Sequence, residues 1–581
     1  MVWTAGAAAY ERLEVTAALD AESMIVSGMY TSPAVGIPAG DSTLHFRLYP
    51  NQICESEQAA IEPVRDCGVQ VDSVFVNGRN YTGGLRVDGN DAFVILGPPE
   101  RADSVAIRVV FHATIPEEGD RFGYDAERVR LESWLPVPAP RSDDGWMIID
   151  YDKWYIEPCG DLFDYSLMIT VPDSLQVIGP GIGRVDSSDG VVHVQVEMDR
   201  SLDVPLFMSS HYRPSIREVG EIRHTLWYRE GERWMVDSVA AWVDFTLRYL
   251  SDSICAYPFD EFVSVIGAFD FDGALELPRM IWLPSPGEGS WTGFPRVAVV
   301  HETIHQWFFG MLYSNQAWHP WLDESITQYF TGRIVEDYCA GRGSLIDYFG
   351  LRVDFSAFSR MQSNVHFAFE SIDDSAGSYR GNTYFTGIYG KGAEVVGTLV
   401  GLMGPEREDE FWREYVATHA FTRPSPEDLY VIADRYLPDA YAGLAREIVQ
   451  VMVQPDYAIT ELSSSRADSL DADSQRVAYF ENTVRYTVSH PVSSTLPMRL
   501  VFDGGLVLDT VVATPAGIHE LTVRDENRVT LAIIDPDTAV VIDENYFNNS
   551  LSAERVNSSG LRLFSGLTFL VESLHSMLWG W

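Results

Sequence analysis

His301-Glu302-Thr303-Ile304-His305 places two imidazoles four residues apart. On a helix, positions i and i+4 share one face, so both rings can point at one metal ion. Glu302 lies beside that ion without ligating it, where a general base for a bound water belongs. Glu324, in Trp321-Leu322-Asp323-Glu324, follows His305 after 18 residues and can supply a carboxylate third ligand. The fourth position of a tetrahedral site then stays open for water. Residues of these types at this spacing predict zinc-assisted hydrolysis of an amide bond.

The flanking pattern supplies the elements that must hold these groups. Val297, Val299, Val300, Ile304, Trp307, Phe308 and Phe309 frame the first pair as a packed helix, which Gly310 ends. A loop rich in Asn, His and Pro leads to Trp321. A second helix opens near Asp323 and runs to about Ala340, with Ile326, Tyr329, Phe330 and Ile334 on one stripe. Asp323 is placed to cap that helix, and a supporting role behind the ligands is the other reading of it. His319 reads as a structural histidine.

Residues 299–310 together with Trp321-Leu322-Asp323-Glu324-Ser325 resemble the zinc signature of the aminopeptidase N family of gluzincin peptidases. Two further elements carry the resemblance. Gly273-Ala274-Leu275-Glu276-Leu277 is similar to the family's Gly-x-Met-Glu-Asn segment, with Leu275 and Leu277 replacing Met and Asn. Tyr389-Gly390-Lys391-Gly392-Ala393 is similar to its Tyr-x-Lys-Gly-Ala segment. The resemblance implies that one zinc ion per chain is held by His301, His305 and Glu324, with Glu302 as general base. It further implies that Tyr389 donates a hydrogen bond to the oxyanion, and that Glu276, with Gly273 and Ala274, binds the substrate. A carboxylate at Glu276 can pair with a free α-ammonium and fix cleavage one residue from the N-terminus. A second amine-binding acid is expected from the N-terminal region, with Glu127 and Glu132 as rivals.

The expected fold class is α+β and multidomain. An N-terminal β domain covers 1–215, where alternation is clear in Leu13/Val15/Ala17/Leu19, Val105/Ile107/Val109/Phe111 and Val192/Val194/Val196. Asp88-Gly89 and Asp189-Gly190 mark tight turns. A thermolysin-like α/β catalytic domain over 216–460 follows by resemblance, mainly helical from Trp234 onward. Ser463 to Ser474 reads as a linker, and 475–547 as a small Ig-like β-sandwich. In the tail, 548–581, Leu563, Leu567, Leu570, Leu574 and Leu578 form a helical stripe. Its polar face lacks the Lys and Arg of interfacial helices, which favours docking on protein over membrane association.

Asp plus Glu number 84 against 41 Lys plus Arg, a net charge of −43. That surface repels nucleic acid and anionic membranes; peptide substrates are the partners the resemblance implies. Lys153 and Lys391 are the two lysines; such near-total use of Arg suits either a salty environment or a GC-rich genome. Five cysteines without a CxxC argue against a thiolate metal site, and Cys54 with Cys67 could close a disulfide loop in an exported protein. Met1 to Ala9 is too short for a signal-peptide core, and an extracytoplasmic location with a trimmed start is expected over a cytoplasmic one. The leading function is a zinc aminopeptidase. The alternatives are a zinc endopeptidase or other amide hydrolase with an open cleft, and a noncatalytic scaffold retaining the fold.

Overall fold

The computed structural model describes residues 10–58, 67–97, 103–117, 119–142, 144–149, 159–269, 273–285, 293–339, 346–348, 351–353, 355, 360, 371–380, 383–470 and 476–553. The amphipathic stripe expected from Leu563 to Leu578 and the segment from Met1 to Ala9 lie outside these residues.

The N-terminal region is built from alternating strands. Glu11–Asp20 sits centrally in an eight-stranded sheet, parallel to Phe163–Pro172 and antiparallel to Ile25–Gly36. Every second residue of Glu11–Asp20 (Leu13, Val15, Ala17, Leu19) is buried, as period-two patterning requires. Asp189 and Gly190 both have positive φ, 53° and 81°, and close a hairpin in which Ser188 pairs with Val191. Smaller sheets cover the buried face around Trp134, whose indole donates to the Val204 carbonyl at 3.0 Å.

The next region opens on a five-stranded sheet: β1 (Arg213–Val219), β2 (Ile222–Tyr228), β3 (Glu261–Phe269), β4 (Leu275–Leu277) and β5 (Met280–Pro284). Their order is β1-β2-β3-β5-β4, so β4 is an edge strand bonded to β5. Strands β2, β3 and β5 run parallel, with helix α1 (Val236–Ser253) making the crossover from β2 to β3. Helices α2 (Gly293–Ile304), α3 (Glu324–Tyr338) and α4 (Gly392–Met403) pack on one another and share a core containing Val299, Val300, Ile304, Phe308, Ile326 and Phe330. The expectation of a mainly helical segment from Trp234 onward missed β3 to β5. Strands β3 and β5 are buried on both faces and read as near-continuous apolar runs rather than alternations, and β4 is only three residues long.

The two regions meet along an ordered seam. Arg128 and Arg130 donate to the carbonyls of Gly267 and Ala268 at 2.9 Å each, and Tyr212 donates to Gly267 at 2.5 Å. Asp125 pairs with both arginines at 2.8 Å.

Seven C-terminal strands form two sheets. Asp456–Leu470, Arg476–Ser489 and Gly517–Asp525 make one; Val507–Ala513, Thr495–Phe502, Val529–Ile534 and Ser550–Ser552 make the other. Tyr457, Val484, Leu496, Met498 and Leu500 are buried in one core with the helical region. The linker expected over Ser463 to Ser474 is corrected in its first part: 463–470 continue a strand, each residue paired with one of Arg476 to Thr483. Ser463, Ser465 and Asp468 face solvent on an antiparallel pair, which needs no apolar alternation to hydrogen-bond. Among the described residues no helix is long and apolar enough to cross a membrane.

Candidate metal centre and active site

Helix α2 ends at Ile304, and the His305 N–H donates back to the His301 carbonyl at 3.3 Å, which keeps the i, i+4 register. The two rings lie 4.7 Å apart between centroids at 77°. Glu324 is the first residue of α3, and both imidazoles turn toward the same carboxylate oxygen. His301 Nε2 is 3.1 Å from Glu324 Oε2, and His305 Nε2 is 3.5 Å from it. One ligand atom from each of the three residues lies within 4.8 Å of the others, and all three residues are buried. Two imidazole nitrogens and one carboxylate, converging and desolvated, are the donor set of a catalytic zinc site. The residues therefore fit the ion the sequence implies.

The far side of His305 is held as well. Its Nδ1 contacts Asp323 Oδ1 at 2.6 Å, and Gln316 donates to the other Asp323 oxygen. This fixes the tautomer with Nε2 free to ligate. Asp323 stands at the N-cap of α3 but makes no side-chain cap bond, so of its two expected roles the supporting one is observed. Burial opposes charge on His305, and the Asp323 and Glu324 carboxylates outweigh it, raising its pKa. Burial lowers the pKa of His301.

Glu302 and Glu276 share the same small volume. Oxygens of both carboxylates and a nitrogen of His305 lie mutually within 4.8 Å, and Glu276 forms a like grouping with Asp323 and Glu324. Glu276 is 6 % exposed, on edge strand β4, and pairs with Ile281. Alternation turns Leu275 and Leu277 to the opposite face, where they join Phe207, Tyr212 and Trp282 in a buried cluster. Gly273 and Ala274 lead into this strand, half-buried.

Tyr389 belongs to a π-helical turn, Phe385–Lys391, just before α4. Such turns often mark functional positions. Its ring lies 5.6 Å from that of His301 at 26°. Burial, then the Glu324 charge, raises the phenol's pKa well above its ordinary value, so it remains a donor at neutral pH. Gly392 explains the glycine in this element. A Cβ there would lie 2.7 Å from Ser325 Cβ and overlap its Oγ, which is committed to the Ile388 carbonyl at 2.7 Å. Without a side chain at 392, α4 closes onto α3 beside Glu324. Lys391 is buried and donates to the Met452 carbonyl at 3.1 Å.

Of the two rivals for a second acid, Glu127 is half-exposed and paired with Arg229 at 2.7 Å. Glu132 is buried, paired with Arg121 at 3.1 Å, and lines a cavity with Leu277, Pro278 and Phe309 beside the β4–β5 hairpin. His319 bonds Asp373 at 2.9 Å, as do Trp321 at 2.9 Å and Tyr430 at 3.3 Å, a structural knot as expected.

Residues 295–452 match the family model described as the peptidase family M1 domain. This segment is a peptidase family M1 domain. Aminopeptidase M1-D of Oryza sativa subsp. japonica is 27 % identical over 147 residues, covering 24 % of this chain and 16 % of that protein. Aminopeptidase M1-B of the same plant is 28 % identical over 147 residues, 24 % of this chain and 15 % of the relative. The chain thus matches about a sixth of these relatives' length, and the segment 295–452 matched by the family model holds His301, His305, Glu324 and Tyr389. Legionella pneumophila aminopeptidase A, solved with aspartic acid, superposes with a TM-score of 0.64 at 11 % identity, over 92 % of this chain and 59 % of that one. An M1 zinc metallopeptidase from Deinococcus radiodurans superposes at 0.55 and 16 % identity, over 76 % of this chain and 94 % of that one. The M1 domain and its flanking β regions therefore share their fold with solved peptidases.

Proposed function

We propose that this protein is a zinc-dependent aminopeptidase that removes N-terminal residues from peptides. The observation that carries the reading is the meeting of Glu276 with Glu302 and His305 within 4.8 Å. A general base and an ammonium anchor so close leave room for one residue between the free amine and the scissile carbonyl.

His301, His305 and Glu324 would hold one zinc ion per chain, which when bound acidifies water and polarises a carbonyl. Glu302 takes the proton from the attacking water and passes it to the leaving amine. Tyr389 donates a hydrogen bond to the carbonyl oxygen as that atom gains charge. Glu276 pairs with the substrate α-ammonium, and Glu132 is the better-placed second acid because it is buried beside the hairpin carrying that anchor. Gly273 and Ala274 offer main-chain groups along the edge of β4. A cleft in which Glu276 is incidental would not place its carboxylate, 6 % exposed, against the base.

The test is hydrolysis of an aminoacyl chromogenic amide before and after chelation, with Glu302→Gln alongside. Activity should vanish with chelator and return with zinc. The Gln variant should bind zinc yet lose roughly 100- to 10,000-fold in kcat. Full activity in a zinc-loaded Gln variant would overturn the assignment of the base.

We also place the protein outside the cytoplasm, on the support of the Cys54–Cys67 disulfide, since such bonds persist in oxidising compartments. Alkylation in intact cells before lysis should spare Cys54 and Cys67; labelling of both contradicts this location.

A further inference from the structure

Gln306 follows His305 directly and is 2 % exposed. Its carboxamide reaches the β4–β5 hairpin and uses both ends there. Oε1 accepts from the Arg279 N–H at 2.8 Å, and Nε2 donates to the Leu277 carbonyl at 3.0 Å. These two backbone groups bracket Pro278 in the two-residue turn Pro278–Arg279, because Leu277 pairs with Met280. Arg279 adopts a left-handed φ of 60°, a conformation that costs a non-glycine residue and persists where its surroundings hold it. Its guanidinium bonds Asp199 of the N-terminal sheet and lies 3.6 Å from the Phe259 ring centroid.

As an edge strand, β4 receives ladder bonds from β5 alone among the described strands. Its place relative to the metal-ligand helix therefore depends on contacts other than the sheet. Gln306, the residue next to a ligand, supplies two: one to Leu277, the residue next to Glu276, and one to Arg279 in the turn that follows. Both partners are main-chain groups, and removing the carboxamide takes the acceptor from the buried Arg279 N–H, so the hairpin must re-seat to satisfy it.

We propose that Gln306 is a positioning residue that fixes the distance from Glu276 to Glu302 and His305, and so sets cleavage at one residue from a free N-terminus. This rests on the aminopeptidase reading above. Gln306 touches neither substrate nor metal; it acts through β4.

The test uses the zinc-loaded full chain as wild type, Gln306→Met and Gln306→Glu. Met keeps the side chain's approximate volume and removes both bonds. Glu keeps the acceptor for Arg279 and loses the donor to Leu277. Leucine p-nitroanilide and its N-acetyl derivative are the substrates. Binding of L-leucine and N-acetyl-L-leucine is measured calorimetrically, and zinc per chain is determined on the same samples. KM for the free-amine substrate should rise about 10-fold or more in the Met variant, the scale of one charge-assisted hydrogen bond, and less in the Glu variant. L-leucine binding should weaken by a similar factor, with kcat changing less and zinc content and N-acetyl-L-leucine binding unchanged. Zinc-loaded variants with wild-type KM and wild-type preference for free amines overturn the proposal alone. Loss of zinc with KM unaltered also overturns it, because Gln306 then serves the ligand helix. A wild type that treats free and acetylated substrates alike removes Glu276 as anchor, and both readings fall. If the Met variant does not fold, the Glu variant decides by the same outcomes.

Discussion

At the scale of single residues, the site is an exercise in placing charge where water is absent. His301, His305, Glu302, Glu324 and Glu276 are all buried, and each carboxylate sits against an imidazole or the metal-ligand set rather than in an apolar wall. Asp203 shows the contrasting case. It is buried, accepts from the Ser133 N–H at 2.6 Å, has no basic partner among its shift-causing neighbours, and burial pushes its pKa from 3.8 to about 6. Folded protein then holds this proton up to about pH 6, whereas the unfolded chain releases it near its ordinary value. Between these values the folded state binds more protons, so this group's contribution to stability falls as pH rises through the window. Asp203→Asn removes the titration and retains an acceptor. The stability of the Asn variant relative to wild type should therefore increase from pH 4 to pH 6 in denaturant titrations; a pH-independent difference contradicts the shift.

At the scale of elements, the chemistry is delivered by three helix ends and one strand edge. Helix α2 brings the histidines at its C-terminus, α3 brings Glu324 at its first residue, and the π-helical turn before α4 brings Tyr389. Helix α4 fits because it is small where it touches its neighbours. Gly392 meets Ser325, Gly401 lies against the Ala539 backbone, and Thr398 accepts from the Ile542 N–H at 3.0 Å. Gly392→Ala should cost about 1–3 kcal/mol through overpacking. It should also lower activity, since the overlap falls on the residue after Glu324. A variant as stable and as active as wild type would contradict the close α3–α4 contact. The HExxH register, Glu324 and the limits of α3 were legible in the sequence, because helical periodicity and a fixed spacing carry them. The roles of Gln306 and Gln316 were not. Each depends on a partner that is distant in sequence or on a loop, and no local pattern marks a glutamine that bonds a backbone 27 residues away. Strands β3 and β5 were missed for a related reason: full burial erases the alternation that announces a strand, while β4, at three residues, is too short to announce one.

At the scale of the whole molecule, the domain with the ligands is held between two β regions. Arg128 and Arg130 fasten the N-terminal sheets to the end of β3, and Arg279 fastens the anchor hairpin to Asp199. The C-terminal sandwich shares its core with the helices. Alternation made the N-terminal strands legible, whereas the start of the sandwich was obscured by a polar strand that resembles a linker in composition. On the proposed reading, the net charge of −43 would attract a peptide's free ammonium, the group assigned to Glu276. The central claim is that this assembly removes one residue at a time from a free N-terminus. The most direct measurement is a mass-spectrometric time course on one unstructured peptide of about ten residues and its N-acetylated twin, with zinc-loaded protein. The free peptide should lose residues singly from its N-terminus while the acetylated twin stays intact. Internal fragments, or equal degradation of the twin, would contradict the account.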